Sequence, residues 1–263
     1  MDILKRELAP LTKEAWEEID EQAEAVLRSN LSARKIVNVN GPKGWDYTVV
    51  PEGRLKIVDE KKEVKTGVYK AKPLVEARIS FTLDRWEMDN VIRGAKDLEL
   101  DALEEAVEKL ALFEEDAIYN GYKQGEIEGL RESTENEVLN FGKDAKTILE
   151  MIAKGTILLK DAYVEKPYYL VVGDEAWKRL NRESENYPLL KQIEKLTGGK
   201  VLYSKAVKGA LLLPYDHDDL EMTVGKDFSI GYESHDETCV KLFITESFTF
   251  RTLDPALVVA YDV

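Results

Sequence analysis

The residues that most often do chemistry are scarce in this sequence. Its 263 residues include one cysteine, Cys239, and two histidines, His217 and His235. A single cysteine closes no internal disulfide, so nothing in the chain calls for an oxidising compartment. No run approaches the roughly 18 apolar residues that a membrane-spanning helix needs. The opening Met1-Asp2-Ile3-Leu4-Lys5-Arg6 has basic residues but no apolar core of signal-peptide length. Positive charge is short too: 37 Lys and Arg against 51 Asp and Glu leave a net charge of −14. The densest basic stretches, such as Glu60-Lys61-Lys62-Glu63, are interleaved with acids. So acidic a chain is repelled by phosphate, which argues against nucleic acid as a partner, and nothing suggests a membrane. The expectation is a soluble, cytoplasmic protein.

Catalytic motifs are missing as well. There is no Gly-x-Ser-x-Gly elbow and no His-Glu-x-x-His pair. Gly198-Gly199-Lys200 fails as a phosphate-binding loop twice: Glu194 stands where the first Gly belongs and Val201 where Ser or Thr belongs. His217, in Asp216-His217-Asp218-Asp219, and His235, in Ser234-His235-Asp236-Glu237, have turn composition, so no metal site is expected. Cys239 reads as a small, partly buried hydrophobe. No Ser, Cys or His constellation supports an enzyme.

What is present is a foldable mixture, 44% hydrophobic and 33% charged. Thr12 opens a helix to about Asn30, with Trp16, Ile19, Ala23, Val26 and Leu27 on one face. Gly41-Pro42-Lys43-Gly44 is a turn. Trp45–Val50, Arg54–Val58 and Val64–Lys70 read as short strands of a charged excursion with too few large apolar residues for a core of its own. Ile79, Phe81 and Leu83 alternate as in a half-buried strand. Asp101, with Glu104 three residues on, is expected to cap a long helix ending near Gly121, and Asp144 another. Residues 99–150 hold 15 acids and 5 bases, read as a solvated helix face. Further strands are expected at Tyr168–Val172, Val201–Tyr203, Ala210–Leu213, Val240–Phe250 and Ala256–Tyr261, with a short helix capped by Asp174 and another at Leu189–Leu196. The class is α+β. Trp86 and Tyr187, large aromatics among polar neighbours, fit an interface or a stacking platform.

Several blocks together resemble the encapsulins, the shell proteins of bacterial and archaeal nanocompartments. These are Leu4-Lys5-Arg6-Glu7-Leu8-Ala9-Pro10-Leu11-Thr12 with Trp16 and Ile19-Asp20; Gly41-Pro42-Lys43-Gly44-Trp45; Phe81–Asn90; and the helix Leu103–Gly121. The most specific block is Asp227-Phe228-Ser229-Ile230-Gly231-Tyr232 followed by Leu242–Phe250. The blocks run in order along essentially the whole chain. The resemblance implies the fold of tailed-phage major capsid proteins. It divides the chain into 1–44 (first helix and start of a peripheral domain), 45–75 (extended loop) and 76–133 (peripheral domain with a spine helix). An axial domain at 134–218, a peripheral return at 219–255 and a C-terminal strand at 256–263 complete it.

By the same resemblance the protein is a non-enzymatic shell subunit that assembles with itself, on the order of 60 copies, into an icosahedral compartment. The shell encloses a cargo, such as a ferritin-like protein or a dye-decolorising peroxidase with roles in iron storage or oxidative stress, through a short C-terminal peptide. The resemblance assigns the peptide groove to Leu27, Arg34, Asn38, Ile230 and Tyr232; Asn38 departs from the Asp that close relatives tend to have. It places Arg182, Glu183, Ser184, Glu185, Asn186 and Tyr187 at a polar pore. No cofactor is required, although Trp86 and Tyr187 match positions that stack a flavin in some encapsulins. Two alternatives are a phage or prophage capsid protein packaging DNA, against which the −14 charge counts, and a flavin-binding or proteolytic enzyme, which has no catalytic motif behind it.

Overall fold

The computed structural model describes residues 3–60, 63–182 and 188–263. Helix α1 (Lys13–Asn30) begins where the Thr12 hydroxyl accepts the Ala15 amide at 3.1 Å, and it buries Ala15, Trp16, Ile19 and Ala23. A short 3-10 turn over Ala33–Lys35 leads into strand β1 (Asn38–Asn40). Strands β2 (Val49–Asp59) and β3 (Thr66–Pro73) form a two-stranded hairpin, exposed along nearly its whole length. The two short strands expected at 45–58 are one strand, because the ladder shifts register across Pro51–Leu55 and continues. Strand β4 (Val75–Asp84) and helix α2 (Arg85–Arg93) follow, then the twenty-residue helix α3 (Asp101–Asn120).

The start of α3 differs from the expectation. Leu100 holds the cap position without a side-chain bond, and Asp101 lies in the first turn with Glu104, where acids favour the positive end of the helix dipole. The same holds for α6 (Asp174–Leu180), which Gly173 rather than Asp174 precedes. Asp144 does cap α5 (Ala145–Asp161), closing a capping box with Thr147. Between α3 and α5 lie the single turn α4 (Leu130–Ser133) and strand β5 (Leu139–Asn140).

The remaining elements are β6 (Tyr168–Val172), α7 (Leu189–Thr197), β7 (Gly198–Tyr203), β8 (Ala210–Pro214), β9 (Leu220–Val224), β10 (Ser229–His235), β11 (Cys239–Thr252) and β12 (Val259–Asp262). Two five-stranded sheets organise them. One runs β1-β9-β11-β10, with β4 on the other side of β11; the second runs β5-β12-β8-β6-β7. The final strand is shorter than expected, because Pro255–Leu257 forms a 3-10 turn before it, and it joins the second sheet beside β8. His235 ends β10 instead of forming a loop tip.

Strand β11 is the backbone of the first sheet. Its first half pairs with β10 and its last with β9, while β4 follows it from Cys239 to Phe248. From Leu242 to Phe250 both faces are buried, so the apolar run needs no alternation. Leu242 and Ile244 face Ile19, Leu103, Val107 and Leu110 in a core under α1 and α3. Phe248 and Phe250 enter a central core with Tyr119, Ile118, Leu211, Leu213 and Val258, which ties the two sheets together. A third core, around Ile152, Leu170, Leu212 and Tyr261, fills the second sheet against α5, α6 and α7.

Where the chain leaves β1 for the hairpin it presses on β9. The Lys43 and Gly44 amides donate to Val224 O at 3.0 Å and Gly225 O at 2.8 Å. Gly41 sits there at φ +148°, and a Cβ on it would stand 2.4 Å from Val224 O. Gly41→Ala is therefore expected to cost about 1–3 kcal/mol in denaturant unfolding. A loss under about 0.5 kcal/mol would show that this crossing yields without strain.

Candidate functional site

Helix α1 turns Ala23 and Leu27 towards the β10 edge of the first sheet, and Leu31, just past the helix end, continues the same stripe. Ile230 and Ile244 form the floor opposite, and Phe228 a wall. The space between is an open groove of about 550 Å³. One end is marked by Arg6, which reaches Asp20 at 2.7 Å and lies over the Trp16 ring. The other end is Arg34, whose guanidinium stacks 4.7 Å from the Phe228 ring.

Arg34 is held by three acidic side chains from three parts of the chain. Its Nε donates to both oxygens of Glu114 at 2.9 Å, and Nη2 donates to Glu114 Oε2 at 2.5 Å and Glu246 Oε2 at 3.2 Å. Nη1 donates to Asp227 Oδ1 at 2.7 Å. Glu114 on α3 and Glu246 on β11 are fully buried, whereas Asp227 opens to the groove. Burial alone disfavours the guanidinium charge, but the facing Glu114, Asp227 and Glu246 more than offset it and hold Arg34 above its ordinary pKa. One cation faces three acids, and Glu246 carries the strain. Burial first, and then the neighbouring Glu114, push its carboxyl well above the carboxylate range, and its Oε1 has no hydrogen-bond partner.

A third buried acid fixes the turn that carries Arg34. Glu115 accepts from the amides of Ser32 and Ala33 at 2.8 and 2.7 Å and from the hydroxyls of Ser32 and Ser204 at 2.5 and 2.8 Å. Burial raises its pKa, and those donors oppose the rise. Glu114 and Glu115 thus depart from the solvated face expected for 99–150. They follow Leu110 and Ala111 at helical spacing, which puts them on the inward side of α3. Glu246 alternates with Leu242, Ile244 and Phe248, the parity that faces the core. In both cases the spacing is the available signal.

The structure brings Leu27, Arg34 and Ile230 together in the groove. Asn38 lies elsewhere: it sits on β1, and its Nδ2 donates to Asp216 Oδ1 at 3.1 Å. Tyr232, two residues beyond Ile230, is outside the lining. Its amide donates to Leu4 O at 2.7 Å and its hydroxyl shares a hydrogen bond with His235 Nδ1. Arg182 is exposed just past α6, and the other candidate pore residues, Glu183 to Tyr187, lie outside the described residues. Trp86 stands on the first turn of α2, 72% exposed, with the Arg93 guanidinium 5.9 Å from its ring. It offers one open aromatic face. His217 accepts the Asp219 amide within its turn, and among the described residues no three His, Cys, Asp or Glu are grouped as a metal site.

The chain is similar to known proteins along nearly its whole length. A protein family described as "Encapsulating protein for peroxidase" matches residues 1–249. The type 1 encapsulin shell protein of Rhodospirillum rubrum is 35% identical, over 97% of this chain and 94% of that protein. In fold, a virus-like particle from Pyrococcus furiosus superposes with a TM-score of 0.68 at 14% identity, covering 93% of this chain and 98% of that one. The capsid of Myoviridae phage XM1 superposes at 0.57 and 11% identity, over 88% and 90%. The α+β fold is therefore that of tailed-phage capsid proteins.

The buried acids make stability depend on pH in a defined direction. The native state keeps a proton on Glu246 above the ordinary value of 4.5, where the unfolded chain has released it. Stability contributed by this group is therefore complete below that value and falls as pH rises towards the raised native pKa, by on the order of 1 kcal/mol per unit. Glu246→Gln, with its oxygen towards Arg34 and its amide towards Glu114, is expected to flatten the fall above the ordinary value of 4.5 in thermal unfolding. Parallel wild-type and variant curves would contradict a protonated Glu246.

Proposed function

The chain belongs to the encapsulin shell-protein family, and we propose that its copies close into an icosahedral shell which holds a cargo protein by a peptide lying in the groove of α1, β10 and β11. As a member of that family it is a structural shell protein, not an enzyme. The observation that carries the cargo reading is the groove itself. Its apolar stripe from Ala23 to Leu31 covers eight residues of rise, about 12 Å. An extended peptide repeats a side chain on one face every ~6.6 Å, so three apolar residues at alternate positions match that length. Such a peptide would dock along the sheet edge, with Leu27, Ile230, Ile244 and Phe228 taking its side chains. Arg34 acts as the anchor of the groove wall, because its donors are already engaged by Glu114, Glu246 and Asp227. Asn38 and Tyr232 fall outside this docking reading.

The rest of the proposal divides the chain as a capsid subunit. The first sheet with α1 and α3 is the peripheral domain, the β2–β3 hairpin the extended loop that lies on a neighbour, and the second sheet the axial domain at the symmetry axes. A heterologous contact repeated with closing rotations gives a finite shell, here on the order of 60 copies. The residues Arg182, Glu183, Ser184, Glu185, Asn186 and Tyr187 would line a polar passage for small solutes. The family's description as encapsulating a peroxidase points to a peroxidase as one cargo, and a ferritin-like iron oxidase would suit the same compartment. The cytoplasm is its proposed location. Flavin is a weaker fit: among the described residues Trp86 supplies a single open aromatic face, so no flavin chemistry is derived.

The test is co-expression with a fluorescent protein ending in Ser-Leu-Gly-Leu-Gly-Leu-Ser. The tailed protein is expected to co-sediment with shell-sized particles on a density gradient, and the untailed protein to stay at the top. Leu27→Asp shells of unchanged size should retain about tenfold less cargo or lower, because a charge then faces apolar side chains. Equal retention by Leu27→Asp shells, or by untailed protein, would contradict groove docking.

A further inference from the structure

The β2–β3 hairpin has two bare faces of different chemistry. Leu55 pairs with Tyr69 and Ile57 with Gly67, so Leu55, Ile57 and Tyr69 share one face; Tyr69 is 81% exposed. Lys56 pairs with Val68, which puts Arg54, Lys56 and Lys70 together on the other face. Residues 49–73 hold seven Lys and Arg against four acids, a positive segment in a chain of net charge −14. Acids interleave with the bases in sequence, but the alternation of the strand separates Arg54, Lys56 and Lys70 from the apolar residues between them. Among the described residues, none of those three has a carboxylate within ion-pair distance.

The opposite imbalance lies on the body of the molecule. Glu126, Glu128, Glu132, Glu135 and Glu137 are all exposed, and among the described residues none of them has an ion-pair partner. The single base among them, Arg131, is committed to Asp262. This stretch stands near the root of its own hairpin, where Glu126 and Glu128 act on Lys72. The hairpin then runs away from it. Arg54 and Lys56 lie five and seven residues out along β2 from Val49, roughly 17 and 23 Å at ~3.3 Å per residue. Arg54 and Lys56 are therefore carried away from these five acids within one subunit, while Lys70 stands two residues from Lys72 on the same face of β3.

We propose that the Arg54, Lys56 and Lys70 face of one copy's hairpin docks on the Glu126–Glu137 stretch of a second copy, forming a charge latch between subunits. The inference rests on the shell reading and adds to it the surface that receives the hairpin and the force that selects it. A lone two-stranded hairpin is marginal in water, so covering it favours assembly beyond the ion pairs themselves. Complementary patches also steer encounter and suppress wrong orientations, which a closing assembly requires. Screening weakens such a latch, since the Debye length shrinks from about 10 Å at 0.1 M to about 3 Å at 1 M salt.

The experiment compares the full-length wild type, K56E/K70E, E132K/E135K/E137K and the two sets combined. Each is purified and its assembled fraction read by size-exclusion chromatography at about 0.1 M and 1 M NaCl. All the changed residues are exposed, and circular dichroism confirms the fold of each protein. Each single-sided variant is expected to lose about tenfold or more in assembled fraction at low salt, and the combined variant to recover most of it. High salt should lower wild-type assembly. Single-sided variants that assemble like wild type would overturn the latch while leaving the shell reading intact. So would a folded combined variant that recovers nothing. A wild type that assembles under neither condition would overturn both.

Discussion

Arg34 and the acids around it hold the shell subunit's first layer together. The guanidinium comes from the turn after α1, Glu114 from α3, Glu246 from β11 and Asp227 from the lead into β10. Four chain segments far apart in sequence meet at one side chain. Breaking a buried pair from one side costs about 3–5 kcal/mol, far more than an exposed pair returns, so the cluster sets where α1 can sit on the sheet. The groove exists because α1 is pinned there. Glu115 reinforces the arrangement by gripping the amides of Ser32 and Ala33, which position the turn bearing Arg34.

The second constraint is what the subunit leaves uncovered. Three cores bury the body of the chain, yet the hairpin exposes Leu55, Ile57, Val58, Val68 and Tyr69. Apolar residues set out on a two-stranded ribbon are a liability for a monomer and a means of assembly for a shell subunit. In the proposed reading the groove and the hairpin divide the work: one would receive a peptide from another protein, the other would engage copies of the same chain.

Much of the fold was legible in the sequence wherever period and burial agree. The Trp16, Ile19, Ala23 stripe gave α1, and the unbroken run from Val240 to Phe250 gave β11 because both its faces are covered. The hairpin was recognisable from its lack of a core. Cap positions were less legible: Asp101 and Asp174 lie one residue inside their helices, since an acid favours the first turn as well as the cap. The ionic cluster escaped because a glutamate does not announce burial; only the spacing of Glu114 and Glu246 from apolar neighbours marks them. Three of the five residues assigned to the groove by family resemblance, Leu27, Arg34 and Ile230, line it, while Asn38 did not join it because β1 carries that side chain to Asp216. Which distant segments meet at Arg34 depends on strand order, and local pattern does not encode that.

The most direct measurement is electron microscopy of the purified chain expressed alone. Uniform, closed, round particles are the predicted result, and their diameter would give the number of copies. A monomer or a small discrete oligomer, with the protein folded, would contradict the account at its centre.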